Sequence, residues 1–271
     1  MDMRAPKIEQ LNKEIVSLIG ELDEFKGRWT TTQALAPDRL AALRQVATIE
    51  SVGSSTRIEG VKLTNSEIES LLRGVKTYSF KSRDEQEVAG YADLMEMIFT
   101  SFKDIPFTEN HIKQLHSVLL KHSTKDNCHR GDYKKLSNSV EAFDSDGKSR
   151  GVIFLTATPF DTPALMTELI AWTNTQINRK ELHPLLVVAV FVIVFLHIHP
   201  FQDGNGRAAR LLEKWFLVSQ LGSKAWQIPA EQFYAEHRAE YYRNIKIGPN
   251  FYTLDYNRCV PFLTMLTNAC S

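Results

Sequence analysis

The chain has 271 residues, 43% of them hydrophobic and 24% charged, the composition of an ordinary soluble globular protein. Thirty-two Lys and Arg balance thirty-two Asp and Glu. This argues against a dedicated nucleic-acid or membrane-surface binder, which carries a basic excess. At roughly 150 residues per domain the length allows one large domain or two small ones, with a core large enough to need no disulfide or metal staple.

The opening MDMRAPKIEQLNKE lacks the apolar core of a signal peptide. Ile8, Leu11, Ile15, Leu18, Ile19 and Leu22 recur at the spacing of an amphipathic helix. Pro37-Asp38 opens a second helical pattern with Leu40, Leu43, Val46 and Ala47. Thr64 and Glu67 form a capping box for a third, which Gly74 ends. Further helices are predicted over about 86–102 and 108–120. The runs SVEAF and GVIFLTA within 137–158 are β-prone, and Asp146-Gly147 between them signals a hairpin turn. Thr162-Pro163 starts another helix running through Trp172. The apolar run Leu185 to Leu196 is ambiguous: its valines favour a strand, its length a buried helix. It is too short to span a bilayer, which takes about 20 residues. Ala208 to Leu221 is a helix stopped by Gly222, and a last helical pattern covers roughly 230–246. The sum is a mostly α protein with one β-hairpin. Cys128, Cys259 and Cys270 are scattered, odd in number and free of CxxC spacing, which fits a reducing, cytoplasmic setting.

Chemistry concentrates in one string, His199-Pro200-Phe201-Gln202-Asp203-Gly204-Asn205-Gly206-Arg207-Ala208-Ala209-Arg210. Gly204-Asn205-Gly206 precedes a helix, so its backbone N–H groups and the helix N-terminus form an anion nest. Arg207 lies in the first helical turn and Arg210 one turn on, a pair of guanidiniums suited to a polyphosphate. Asp203 beside them is placed to bridge phosphates through Mg²⁺, and His199 is the natural general base. Together these are the parts needed for attack on a nucleotide phosphate.

The string resembles the motif H-x-F-x-[DE]-G-N-G-R-x-x-R of the Fic family, matching every specified position. The resemblance implies a Fic fold, a helical bundle with a β-hairpin flap at about 137–158 that holds a segment of a target protein. It implies a buried helix before the motif, which decides the 185–196 run in favour of helix. His129-Arg130-Gly131-Asp132-Tyr133 is loosely similar to the G-x-[YF]-R string that leads into the flap. Tyr241-Tyr242 resembles a tyrosine pair that lines the nucleotide base pocket in some members, although an aromatic pair on a helix is also ordinary core. Ser55-Thr56-Arg57-Ile58-Glu59-Gly60 fits the family's inhibitory pattern [ST]-x-x-x-E-[GN], whose glutamate pairs with the second motif arginine, here Arg210. The implied division is an N-terminal helical segment over 1–75 carrying the inhibitory motif and a core domain over 76–271.

The activity implied is transfer of AMP from ATP, with Mg²⁺, to a Ser, Thr or Tyr hydroxyl of a target protein. His199 is the base and Asp203 the metal ligand. Gly204, Asn205, Gly206, Arg207 and Arg210 hold the phosphates, Asn205 bonding an α-phosphate oxygen, while Phe201 packs into the core. Gly206 stands where the phosphorylating Doc-like branch has Lys. Ser55 and Glu59 are the inhibitory residues. The reverse reaction, removal of AMP with Glu59 orienting a water, stays open, as does a non-catalytic binding module. No nucleic-acid or membrane partner is expected; a homodimer is an open assembly state. A metal hydrolase built on His197-x-His199 and Asp203 lacks the required ligand spacing, and Asp144-Ser-Asp146-Gly147 lacks the remaining ligands of a calcium loop.

Overall fold

Leu185 to Ile198 decides how the chain folds, because a segment apolar on every side must be covered on every side. In the computed structural model, which describes residues 16–17, 19–20, 23, 37–74, 79–143 and 148–270, this segment is a helix, Pro184–Ile198, with every residue from Leu185 to Ile198 buried. Numbered from the first continuous helix, the elements are α1 (Pro37–Ile58), α2 (Asn65–Gly74), α3 (Arg83–Ser101), α4 (Glu109–Leu119), β1 (Ser139–Phe143), β2 (Ser149–Leu155), α5 (Thr162–Arg179), α6 (Pro184–Ile198), α7 (Asn205–Leu221), α8 (Ala230–Glu236), α9 (Arg238–Ile245) and α10 (Val260–Cys270). α6 packs against α5, α7 and α10; α7 also meets α3, α4 and α1. None of the described helices is long and apolar enough to cross a membrane.

Local signals account for most of the boundaries. The capping box is formed: Thr64 N–H donates to Glu67 Oε2 at 2.8 Å and Glu67 N–H to Thr64 Oγ1 at 3.3 Å. Ser82 and Thr108 cap α3 and α4, each hydroxyl accepting the N–H three residues on. α5 runs past Trp172 to Arg179, where Lys180 turns left-handed. The 230–246 pattern is two helices, broken at His237. The apolar stretch after Cys259 is itself a helix, α10, burying Phe262, Leu263, Met265 and Leu266. Most of the pattern from Ile8 to Leu22 and the whole Asp146-Gly147 turn lie outside the described residues.

The hairpin stands where expected. Its strands are antiparallel, pairing Ser139 with Leu155 and Phe143 with Ser149, with register shifts after Val140 and Ala142. It attaches to the core through Val140 and Phe154, with Ala142 and Ile153 packed alongside; Phe154 is buried and stacks on His197 of α6 at 3.9 Å between ring centroids. Val152 and Leu155 are exposed. Leu155 N–H continues the ladder outward to Pro249 O at 3.2 Å.

Candidate active site

α6 ends by delivering His199 in a left-handed conformation, φ 53° and ψ 61°. For a residue other than glycine this costs about 1–2 kcal/mol, and it marks a turn that its surroundings impose. The ring is partly exposed to an open pocket of about 460 Å³. Its Nδ1 lies 3.1 Å from Leu196 O. A carbonyl only accepts, so Nδ1 carries the proton and the Nε2 lone pair is left to act. Burial, then the charge of Lys134, push the His199 pKa down to about 4. The imidazole is therefore neutral and able to accept a proton at pH 7.

The loop after His199 is fastened from three sides. Phe201 is fully buried and stacks on His116, centroids 3.7 Å apart and planes 4° from parallel. His116 Nδ1 accepts Gly131 N–H at 2.9 Å, so its Nε2 holds the proton and donates to Asp203 O at 2.9 Å. Burial lowers the His116 pKa to about 4, which preserves that tautomer. Asn205 closes both ends of its amide on Phe201: Oδ1 accepts Phe201 N–H at 2.9 Å and Nδ2 donates to Phe201 O at 2.8 Å. In this arrangement the buried side chain shapes the loop. Gly204 has φ 76°, and a Cβ there would sit 3.4 Å from His116 Nε2. The first helical bond of α7 is Ala208 N–H to Gly204 O, so the N–H groups of Asn205, Gly206 and Arg207 precede it, as an anion site requires.

The pocket lining carries three arginines (Arg83, Arg207, Arg210) and five carboxylates (Glu59, Asp84, Glu87, Glu141, Asp203). Arg207 is buried and pairs with Glu87 at 2.9 Å and Asp203 at 3.6 Å. Arg83 bridges the same acids, Nε to Glu87 Oε1 at 2.6 Å and a terminal nitrogen to Asp203 Oδ2 at 2.7 Å. Burial works against the Asp203 charge, but Arg207, the Gly204 N–H and Arg83 outweigh it and hold the carboxyl below its ordinary pKa. Among the described residues no group of three or more His, Cys, Asp or Glu could hold a metal ion. Asp203 offers a single carboxylate, with Arg83 on Oδ2 and the Gly204 N–H on Oδ1, so a cation there would take its other ligands from phosphate oxygens and water. That is the usual coordination of Mg²⁺ with a nucleotide.

The opposite wall is the C-terminal end of α1. Arg210, 1% exposed, donates from Nε to Ser55 Oγ at 2.7 Å and from a terminal nitrogen to Ser55 O at 3.0 Å and Glu59 Oε1 at 2.7 Å. Burial opposes the Arg210 charge, yet Glu59 outweighs it and holds the guanidinium firmly protonated. A Cβ at Gly206 would lie 2.1 Å from Glu59 Oε1, so a side chain there would displace this carboxylate from its present place. Tyr241 and Tyr242 line the same wall, Tyr241 with its hydroxyl 3.5 Å from Arg210 and Tyr242 donating to Ile58 O at 3.3 Å. Arg238 also caps α1, donating to the carbonyls of Arg57 and Ile58.

Glu59, His199, Asp203, Gly204, Asn205, Gly206, Arg207, Arg210, Tyr241 and Tyr242 line one pocket, and Ser55 bonds Arg210 in its wall. The sequence reading missed Arg83, Glu87, His116, Lys134 and Arg238. Lys134 alone left a local trace, since it follows Gly131-Asp132-Tyr133 where the resembling string has arginine.

The family model for the Fic/DOC family matches residues 106–217. A protein adenylyltransferase Fic from Drosophila grimshawi is 30% identical over 213 residues, covering 77% of this chain and 40% of the relative. The chain thus spans about 40% of the length of that curated relative. The crystal structure of a Fic domain-containing signaling protein from Bacteroides thetaiotaomicron superposes with a TM-score of 0.69 at 25% identity, covering 95% of this chain and 94% of that one. A Fic family protein from Desulfovibrio desulfuricans G20 shares the fold at 24% identity, with a TM-score of 0.76 over 99% of this chain and 75% of that one.

Proposed function

We propose, from the match of residues 106–217 to the Fic/DOC family model, that the chain is a cytoplasmic protein adenylyltransferase restrained by its own Glu59. It would move AMP from ATP to a Ser, Thr or Tyr hydroxyl of a target protein. One observation carries the reading: a neutral histidine and the open N-terminus of α7 face one pocket, and a carboxylate sits on the arginine that a phosphate would use.

His199 Nε2 takes the proton of the incoming hydroxyl. Its oxygen bonds to the α-phosphorus while the bond to the β-phosphate bridge breaks and pyrophosphate leaves. The N–H groups of Asn205, Gly206 and Arg207 stabilise the charge that develops. Asp203 would hold the Mg²⁺ that travels with the nucleotide, which neutralises phosphate charge. Val140 and Glu141 on β1 line the pocket, which supports delivery of the acceptor segment along the hairpin edge. Tyr241 and Tyr242 border the side available to the base. While Glu59 pairs with Arg210, a γ-phosphate meets a carboxylate where it needs the guanidinium. Arg210 meets Glu59 at Oε1, and among the described residues no hydrogen bond engages the other oxygen, which supports AMP removal through a Glu59-oriented water as the second reading.

Intact-mass measurement tests the proposal. The Glu59→Gly chain incubated with Mg²⁺ and ATP should gain the mass of AMP. A gain of phosphate alone would indicate kinase chemistry, and failure to bind nucleotide would leave a protein-binding module.

A further inference from the structure

We infer that Lys134 is a positioning residue that locks the left-handed turn at His199 to both roots of the β-hairpin, an inference that rests on the reading of His199 as the base. Five consecutive carbonyls surround this turn, and residues at the hairpin root take all of them. Ala157 N–H donates to His197 O at 3.1 Å, Lys134 Nζ to Ile198 O at 2.8 Å, and Lys134 N–H to Pro200 O at 2.8 Å. Asn138 Nδ2 donates to Phe201 O at 2.8 Å and reaches His199 O at 3.5 Å. A histidine at φ 53° holds that conformation only where its neighbours over-determine it, and this clasp does so.

Lys134 is the centre of the clasp. Its side chain is 3% exposed. Besides Ile198 O, the ammonium donates to Asn138 Oδ1 at 2.8 Å and Thr156 Oγ1 at 3.0 Å. Asn138 immediately precedes β1 and Thr156 immediately follows β2, and the Thr156 hydroxyl donates back to Asn138 O at 2.8 Å. Three donors thus meet three acceptors: one on each strand root and one on the turn. A lysine ammonium has that number and flexibility of donors. The consequence is mechanical. A segment held on the hairpin is presented to His199 at a fixed offset, because strand roots and turn cannot move separately.

Lys134 also acts on His199 through its charge. The charged groups that bear on the imidazole are Lys134 from the hairpin root, Glu59 from the end of α1 and Asp203 from the loop. Lys134 opposes protonation of the ring, and the two carboxylates favour it. Burial brings the pKa of Lys134 itself down to about 7.

The test uses the full chain carrying Glu59→Gly, with label transfer from α-labelled ATP onto the chain itself and NMR titration of the His199 ring. Adding Lys134→Met should slow transfer on the order of 10²-fold, as misplacement of a catalytic group does. It should also move the acid limb of the pH profile and the His199 titration up by about 1 pH unit, the effect of removing a nearby like charge. Lys134→Arg should restore the titration. Thr156→Val, which removes one acceptor and keeps the ammonium, should slow transfer without moving the titration. Transfer by Lys134→Met within about twofold of the parent, with an unmoved titration, would overturn the inference. If Lys134→Met does not fold, parental transfer rates in Thr156→Val overturn it instead. If the parent transfers nothing, the functional reading fails, and the His199 titration in Lys134→Met still decides whether Lys134 acts on this ring.

Discussion

At the residue scale the site depends on keeping His199 uncharged and aimed. Leu196 O holds the Nδ1 proton and burial lowers the pKa to about 4, so the base form persists well below the usual pH of imidazole titration. In the Glu59→Gly chain, His199→Ala should reduce AMP transfer by about 10²–10⁴-fold. The parent should lose no rate as the pH falls from 7.5 to 5.5, with the acid limb near pH 4 instead of 6.5; a pH–rate profile checks both. A fall beginning at pH 6.5 would mean an imidazole exposed like a free one. His199, Asp203, Arg207 and Arg210 were legible because one contiguous string carries them, and Ser55 and Glu59 because a short pattern does. Arg83, His116 and Lys134 were not. They reach Asp203 and Ile198 across 120, 87 and 64 residues of chain, and no local pattern encodes a through-space contact.

At the scale of elements, the β-branched run of α6 shows where propensity yields to packing. Valines favour strands mainly because they fit a half-buried pleat. Here every side is buried, and a helix satisfies its backbone hydrogen bonds internally. The break at His237 and the helix over 260–270 escaped the sequence reading for a related reason: neither has a periodicity that separates it from its surroundings. The hairpin hangs on Phe154 and its stack against His197. Phe154→Ala should weaken this attachment by about 3–5 kcal/mol. Hydrogen exchange across 139–143 and 149–155 should then accelerate by two orders of magnitude or more, while α6 and α7 keep their protection. Unchanged exchange in the hairpin would show that the Lys134 clasp alone holds it.

At the scale of the whole molecule, zero net charge conceals an uneven distribution. The pocket lining is acidic by two groups while Glu59 is in place, five carboxylates against three arginines, so it disfavours a bare polyanion and favours one that brings a divalent cation. Val52, Ile58, Ile68 and Leu71, from the described residues before 76, belong to the same core as the residues that follow. Three imidazoles, His116 and His197 buried and His199 half-buried at the pocket, have pKa values lowered from 6.5 to about 4. Between those limits the unfolded chain binds more protons than the native one, so stability falls on acidification. Glu213, raised by burial to about 8, works in the opposite direction, one group against three. The melting temperature should therefore drop between pH 6.5 and 4.5 in a calorimetric series, and a flat or rising trend would contradict the burial of these rings.

The central claim is that Glu59 on Arg210 restrains a nucleotidyl transfer that His199 performs. Parallel incubations of the wild-type and Glu59→Gly chains with ATP labelled at the α- or the γ-phosphate test it most directly. The account predicts α-label on protein, well above wild type in Glu59→Gly, with no γ-label. Transfer of γ-label, or equal α-labelling by the two chains, would contradict it.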